Sequence, residues 1–189
     1  MFKDRAGRKS NFRRKDIPLN MPQRAYPITE VVVATDCWQS EPDAEAAVQR
    51  AILTASAATD ASVDNAEVAV MLADDATIRT LNKNFRGIDK PTNVLSFPAP
   101  EMDNAGGEDA APRALGDIAI AYETLRREAD EEGKPFLDHL SHLAVHGFLH
   151  LIGYDHETDD EAEEMEALEV AILAQLEIPD PYAERERMD

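Results

Sequence analysis

The chain has 189 residues, 43% of them hydrophobic and 30% charged, which suits a single domain with one core. Lys and Arg number 19 against 38 Asp and Glu, a formal charge of −19. That excludes a protein that holds polyanions by blanket electropositivity, because nucleic acid is gripped chiefly by neutralising its phosphates.

The charge is unevenly placed. Residues 1–24 hold eight basic and two acidic side chains, and the acid is concentrated in the remainder. The first segment has few apolar residues and no periodicity, and reads as a flexible basic arm. No apolar stretch follows its positive charge, so it is not a secretory signal. No uncharged apolar run approaches the roughly 18 residues that span a bilayer. The single Cys37 cannot form an internal disulfide and fits a reducing compartment. These features predict a soluble, cytoplasmic protein.

Residues 28–35 (ITEVVVAT) form a β-branched run and are expected as a strand. Pro42 and the alanine-rich segment behind it predict a helix, with proline tolerated in the first turn. Residues 66–73 (AEVAVMLA) predict a second strand. Asp74 is placed to cap a helix that runs to about 84 or 85, with Ile78 and Leu81 three apart on its inner side. Residues 93–97 (NVLSF), fenced by Pro91 and Pro98, predict a third strand. Residues 98–114, rich in Pro, Gly, Ala and acid, read as a surface loop. A fourth strand is expected at 115–121 (LGDIAIA), then helices at about 122–132, 135–152 and 158–177. The pattern predicts a single α/β (α+β) domain with a mixed sheet of about four strands. It spans residues 25–178, with an acidic, polar tail at 179–189.

All five histidines lie between 139 and 156, three of them in the run H-G-F-L-H-L-I-G-Y-D-H from His146 to His156. His146 and His150 are four apart and share one helical face. Gly153 follows three residues after His150, where a helix can end in a left-handed turn. The chain can then bring His156 back toward the other two. Neutral imidazoles suit zinc, and three protein ligands leave a fourth position open, as catalytic sites require. The spacing is that of metzincin proteases, but those enzymes carry a glutamate directly after the first histidine as general base. Here that position is Gly147, which keeps the metal site and removes the peptidase.

The 146–156 run, with F-R-G-I-D-K-P-T-N-V-L-S-F-P at 85–98 and L-G-D-I at 115–118, resembles the YbeY family of bacterial rRNA maturation factors. The resemblance covers roughly residues 28–177. It implies a single-strand-specific, metal-dependent endoribonuclease acting in 16S rRNA 3′-end maturation and ribosome quality control. One Zn²⁺ ion per chain would be held by His146, His150 and His156, and Arg86 is the family's functionally important arginine. Single-stranded RNA, the small ribosomal subunit and its assembly factors are the implied partners.

Phosphodiester hydrolysis needs a nucleophile and something to offset charge on the phosphoryl oxygens; a metal ion and a guanidinium meet those needs. Arginine suits phosphate because its planar fork donates two hydrogen bonds and keeps its charge. Arg79, Lys83, Arg86 and Lys90, spaced four, three and four apart, would form a basic stripe leading RNA to the metal if the helix ran that far. The alternative for them is a solvated face.

Asp117, inside an apolar strand, and Asp155, before the last ligand, are candidate partners for a ligand imidazole N–H. Either could equally serve a turn. His139 and His142 share the helical face of His146 and His150, and are expected as supporting or core side chains rather than ligands. Thr158 and Glu161 form a capping signature, and Met165, Leu168, Ile172 and Leu176 a core stripe. The carboxylates of that last helix read as a solvated face. Two rival readings stay open: a non-catalytic ribosome-assembly module with structural zinc, and a metal-dependent hydrolase of another substrate class.

Overall fold

The computed structural model describes residues 26–100 and 111–183. The basic arm, most of the 98–114 loop and the end of the acidic tail fall outside them.

Four strands form one mixed sheet. These are β1 (Ile28–Val33), β2 (Ala66–Ala73), β3 (Val94–Pro98) and β4 (Arg113–Ala121), in the spatial order β1-β2-β4-β3. β1, β2 and β4 run parallel, and β3 pairs antiparallel with β4 at the sheet edge. Five α-helices complete the fold: α1 (Ala44–Ala58), α2 (Asp75–Arg86), α3 (Tyr122–Glu131), α4 (Phe136–Leu151) and α5 (Asp159–Gln175). A short 3-10 turn at Asp36–Ser40 precedes α1 and seats Trp38 under Ala73, whose carbonyl accepts from its indole N–H at 3.0 Å.

Every expected element is present, and the differences lie at the ends. β4 begins at Arg113 rather than Leu115, because Arg113 pairs with Ala66 and its N–H donates to the Asn65 carbonyl. Residues 113 and 114 therefore leave the expected loop for the sheet. β1 stops at Val33, where the 3-10 turn takes over the chain. α2 runs through Arg86, and Gly87 ends it in the left-handed region. Asp74 caps α2 by accepting from the Thr77 N–H at 2.8 Å, and Thr158 and Glu161 form the expected capping box on α5.

The alternation of strand side chains divides the apolar residues between two faces. One face buries Val68, Val70, Leu72, Ile118 and Ile120 against α1, α4 and α5. The other buries Met71, Ala73, Ala119, Ala121 and Leu95 against Ile78 of α2. β3 therefore serves both sides. Leu95 and Phe97 face α2, whereas the Ser96 hydroxyl donates to the Gly147 carbonyl of α4 at 3.3 Å.

Gly147 has a steric reason to be glycine. A Cβ there would lie 3.0 Å from Ile118 Cγ2 and 3.2 Å from Ser96 Oγ. The position that carries the catalytic glutamate in metzincins thus points into the sheet, and closeness of helix to sheet takes the place of a side chain.

Candidate metal centre

α4 is apolar along most of its length, because it packs between the sheet and α1, α3 and α5. Its histidines are the exceptions, and each of the four has a defined partner. His146 and His150 sit one turn apart, with ring centroids 4.7 Å from each other. Past Leu151 the chain turns at Gly153, whose φ of +100° is one that glycine adopts readily. That turn brings His156 to within 5.5 Å of the His146 ring and 5.0 Å of the His150 ring. One ligand atom from each of the three lies within 4.8 Å of the others. His146 and His150 are half-buried and His156 is exposed, so the cluster opens to solvent.

The donor set can be tested on hydrogen bonding alone. His146 Nδ1 lies 2.7 Å from Glu169 Oε1, and His150 Nδ1 lies 3.0 Å from the Tyr154 carbonyl. Both partners can only accept while Glu169 is ionised, so each Nδ1 carries the proton and each Nε2 keeps its lone pair. Those two Nε2 atoms face each other at 3.2 Å. Two lone pairs at that separation repel unless a cation lies between them. With Zn–N bonds of 2.0–2.1 Å, tetrahedral ligands stand about 3.3 Å apart. The three residues therefore fit a divalent ion.

Burial and the neighbouring imidazoles of His146 and His156 push the His150 pKa down, which favours the neutral ring a metal needs. Glu169 is only 1% exposed. Burial alone would raise its pKa, but hydrogen bonds from His142 and His146 outweigh that and bring it to about 2. Its Oε2 accepts from His142 Nε2 at 2.9 Å and from the Tyr182 hydroxyl.

Glu169 corrects the expectation that the α5 carboxylates form a solvated face. The sequence did carry a signal. Glu169 lies four residues after Met165 and three before Ile172, so it falls on the apolar stripe that packs inward, where an acid needs a partner.

The other candidates are placed as follows. His142 touches Glu169 and so supports His146 at one remove. His139, 6% exposed, pairs with Glu128 at 2.9 Å, and Glu128 also accepts from Asn93 at 3.0 Å. Asp155 Oδ1 accepts the His156 N–H at 2.9 Å and stands 3.8 Å from His150 Nδ1, so it braces the turn that carries the last imidazole. Asp117 is half-buried in β4, opposite Phe97, while Glu169 and the Tyr154 carbonyl take the Nδ1 protons of His146 and His150.

Arg79 and Lys83 both bind Asp89, at 2.6 and 2.8 Å, and hold its carboxyl down to about 2. Arg86 and Lys90 are exposed, and Arg86 makes no ion pair among the described residues. The stripe breaks after Arg86, because Gly87 ends α2 there.

Fold and site together define a single-domain α+β protein with a three-histidine centre suited to a divalent metal. A family model described as Endoribonuclease YbeY matches residues 34–177. Relatives named Endoribonuclease YbeY include one from Bradyrhizobium sp. (strain BTAi1), 70% identical over 169 residues and covering 89% of this chain and 100% of its own length. Another, from Bradyrhizobium diazoefficiens, is 72% identical over 159 residues, covering 84% of this chain and 87% of its own. Among solved structures, TM1509 from Thermotoga maritima, determined in solution, matches with a TM-score of 0.43 at 24% identity, over 79% of this chain and 92% of that one. The chain belongs to the endoribonuclease YbeY family.

Proposed function

We propose that this protein is a zinc-dependent endoribonuclease that cuts single-stranded RNA in the cytoplasm. Its task would be maturation of the 16S rRNA 3′ end and ribosome quality control, with the small ribosomal subunit and assembly factors as partners. Family membership supports the activity. The observation that carries the mechanism is the convergence of His146, His150 and His156 at a mouth open to solvent.

An ion held there would supply Lewis-acid stabilisation of charge on a phosphodiester and would acidify a nearby water. The protein's own residues do the rest. Glu169 and the Tyr154 carbonyl hold the Nδ1 protons, fixing both tautomers before the ion arrives. His156, exposed at the end of the Gly153 turn, completes the set from the solvent side. Arg86, exposed at the end of α2 and without an ion pair among the described residues, offers a guanidinium suited to the phosphoryl oxygens of a bound strand.

Among the described residues only three His, Cys, Asp or Glu side chains join this cluster, which favours an open catalytic site over a closed structural one. Gly147, seated against Ile118, disfavours the peptidase alternative.

The test is cleavage of a single-stranded RNA by the purified protein and by His150→Ala prepared identically. Cleavage that is lost in the variant and abolished by a chelator is expected. Equal cleavage by both would indicate a contaminating nuclease, and zinc binding without cleavage would favour the assembly module. The product ends identify the nucleophile, since a 2′,3′-cyclic phosphate requires attack by the substrate's own 2′-OH.

A further inference from the structure

The four large hydrophobic side chains exposed among the described residues include two that lie three apart in the sequence, Phe85 at 68% and Ile88 at 49%. Phe85 continues the inward stripe of α2, four residues beyond Leu81 and seven beyond Ile78. The sheet ends at β3, however, so no core remains for it to enter. Its ring leans instead on Phe97 of that edge strand, with centroids 4.9 Å apart and planes tilted by 58°. The pair forms an aromatic shelf at the sheet edge, one ring half-buried and the other in solvent.

The charge around the shelf is unusual for this chain. Asp89 is bound by both Arg79 and Lys83, and Arg86 and Lys90 add two exposed cations. A strongly acidic protein thus presents a local cationic excess beside an exposed aromatic face. Flat apolar groups joined by anions are what such a surface fits, and a single-stranded nucleic acid has both, with bases to stack and phosphates to neutralise. An acidic peptide would match the charge but would offer a flat ring only where it carries an aromatic side chain, whereas every nucleotide carries one.

The shelf is also tied to the metal centre through one strand. Phe97 holds Phe85 on one face of β3, and the preceding residue, Ser96, bonds on the other face to Gly147, the neighbour of His146. The outer edge of β3 has no strand partner among the described residues.

We infer that Phe85 is a base-stacking platform, on which a base of single-stranded RNA rests while Arg86 and Lys90 take the flanking phosphates. The inference rests on the nuclease reading above and deepens it, since it names a residue that grips the strand rather than one that cuts it. Stacking on an aromatic side chain tolerates any base, so the platform would raise affinity without choosing a sequence.

The test uses the metal-loaded full chain and a fluorescein-labelled oligoadenylate, with binding read by anisotropy after rapid mixing, before turnover. Phe85→Leu is expected to weaken binding about tenfold and Phe85→Tyr to stay within about twofold of wild type. The dependence on salt should be the same in all three, because the phosphate contacts are untouched. Against a strand of equal length whose sugars carry no bases, wild type and Phe85→Leu should bind alike. Phe85 is exposed, so the substitution leaves the core intact, and circular dichroism checks this. If Phe85→Leu binds oligoadenylate as wild type does, the inference is wrong and the shelf faces a protein instead. An equal loss on the abasic strand would also overturn it, by pointing to a distorted α2. Failure of the wild type to bind any RNA would bring down the nuclease reading itself, whatever Phe85 does.

Discussion

The C-terminal half of α4 and the C-terminal end of α2 lie near opposite faces of the same edge strand and are built in opposite ways. Around α4, imidazoles are held by fixed acceptors: Glu169 on His146 and His142, the Tyr154 carbonyl on His150, and Glu128 on His139. Around α2, Arg86 has no ion partner among the described residues and Phe85 stands mostly in water. A metal site needs lone pairs aimed at one point, so its residues are half-buried and oriented before the ion binds. A surface that receives a flexible polymer needs solvated cations and exposed rings that can adapt to it. Loss of an acceptor that orients a metal-binding imidazole should therefore have a large effect that depends little on salt. Loss of the α2 cations should have a smaller, salt-sensitive one.

The sharpest way to break this contrast is Glu169→Ala. Without the carboxylate, His146 loses the acceptor that fixes its Nδ1 proton, and three donors lose a partner that is only 1% exposed. Zinc affinity, read by competition with a chromophoric chelator, should fall about 10- to 100-fold. Glu169→Gln, which can still accept from one imidazole, should lose less. Unchanged affinity in both variants would mean that the buried carboxylate serves folding alone.

Glu169 also marks the limit of what the sequence discloses. The spacing of His146, His150, Gly153 and His156 is local, so helix geometry and one glycine turn make that cluster legible without coordinates. The strand and helix pattern was legible for the same reason, since alternation and the caps at Asp74 and Thr158 are short-range signals. The pairing of Glu169 with His146 spans 23 residues and depends on how α5 crosses α4, which no local pattern states. β4 gained Arg113 and Ala114 because β2 offered them partners, again a tertiary effect. Asp117 is an acid in an apolar strand, whereas the partner of His146 is an acid in an apolar helical stripe.

A second, smaller effect should appear at Glu128, which joins His139 of α4 to Asn93 at the entrance of β3. Burial raises its pKa, but the hydrogen bonds from His139 and Asn93 prevail and leave it below the usual glutamate value. A carboxylate whose pKa is lower in the folded state stabilises the fold above its unfolded value, about 4.3, and loses that contribution as the pH falls through its folded value. Glu128→Gln should therefore cost about 1 kcal/mol near neutrality. In urea titrations the difference from wild type should shrink as the pH drops below about 4. A gap that stayed constant with pH would remove the charge from this explanation.

The smallest expected effect lies on the α2 side. Arg79→Ala combined with Lys83→Ala removes two cations already engaged by Asp89. RNA affinity should fall only a few-fold, and its logarithmic salt slope should become shallower by up to about 0.7 per lost phosphate contact. An unchanged slope would mean that these two side chains serve only to hold the 86–91 turn.

The central claim is that His146, His150 and His156 hold one divalent ion with its coordination left incomplete by protein. X-ray absorption at the metal edge of the protein as purified tests this most directly. One zinc per chain is expected, with three imidazole nitrogens at about 2.0–2.1 Å and a light-atom ligand that the protein does not supply. A fourth nitrogen or a sulfur from the chain, or a protein that takes up no metal at all, would contradict it.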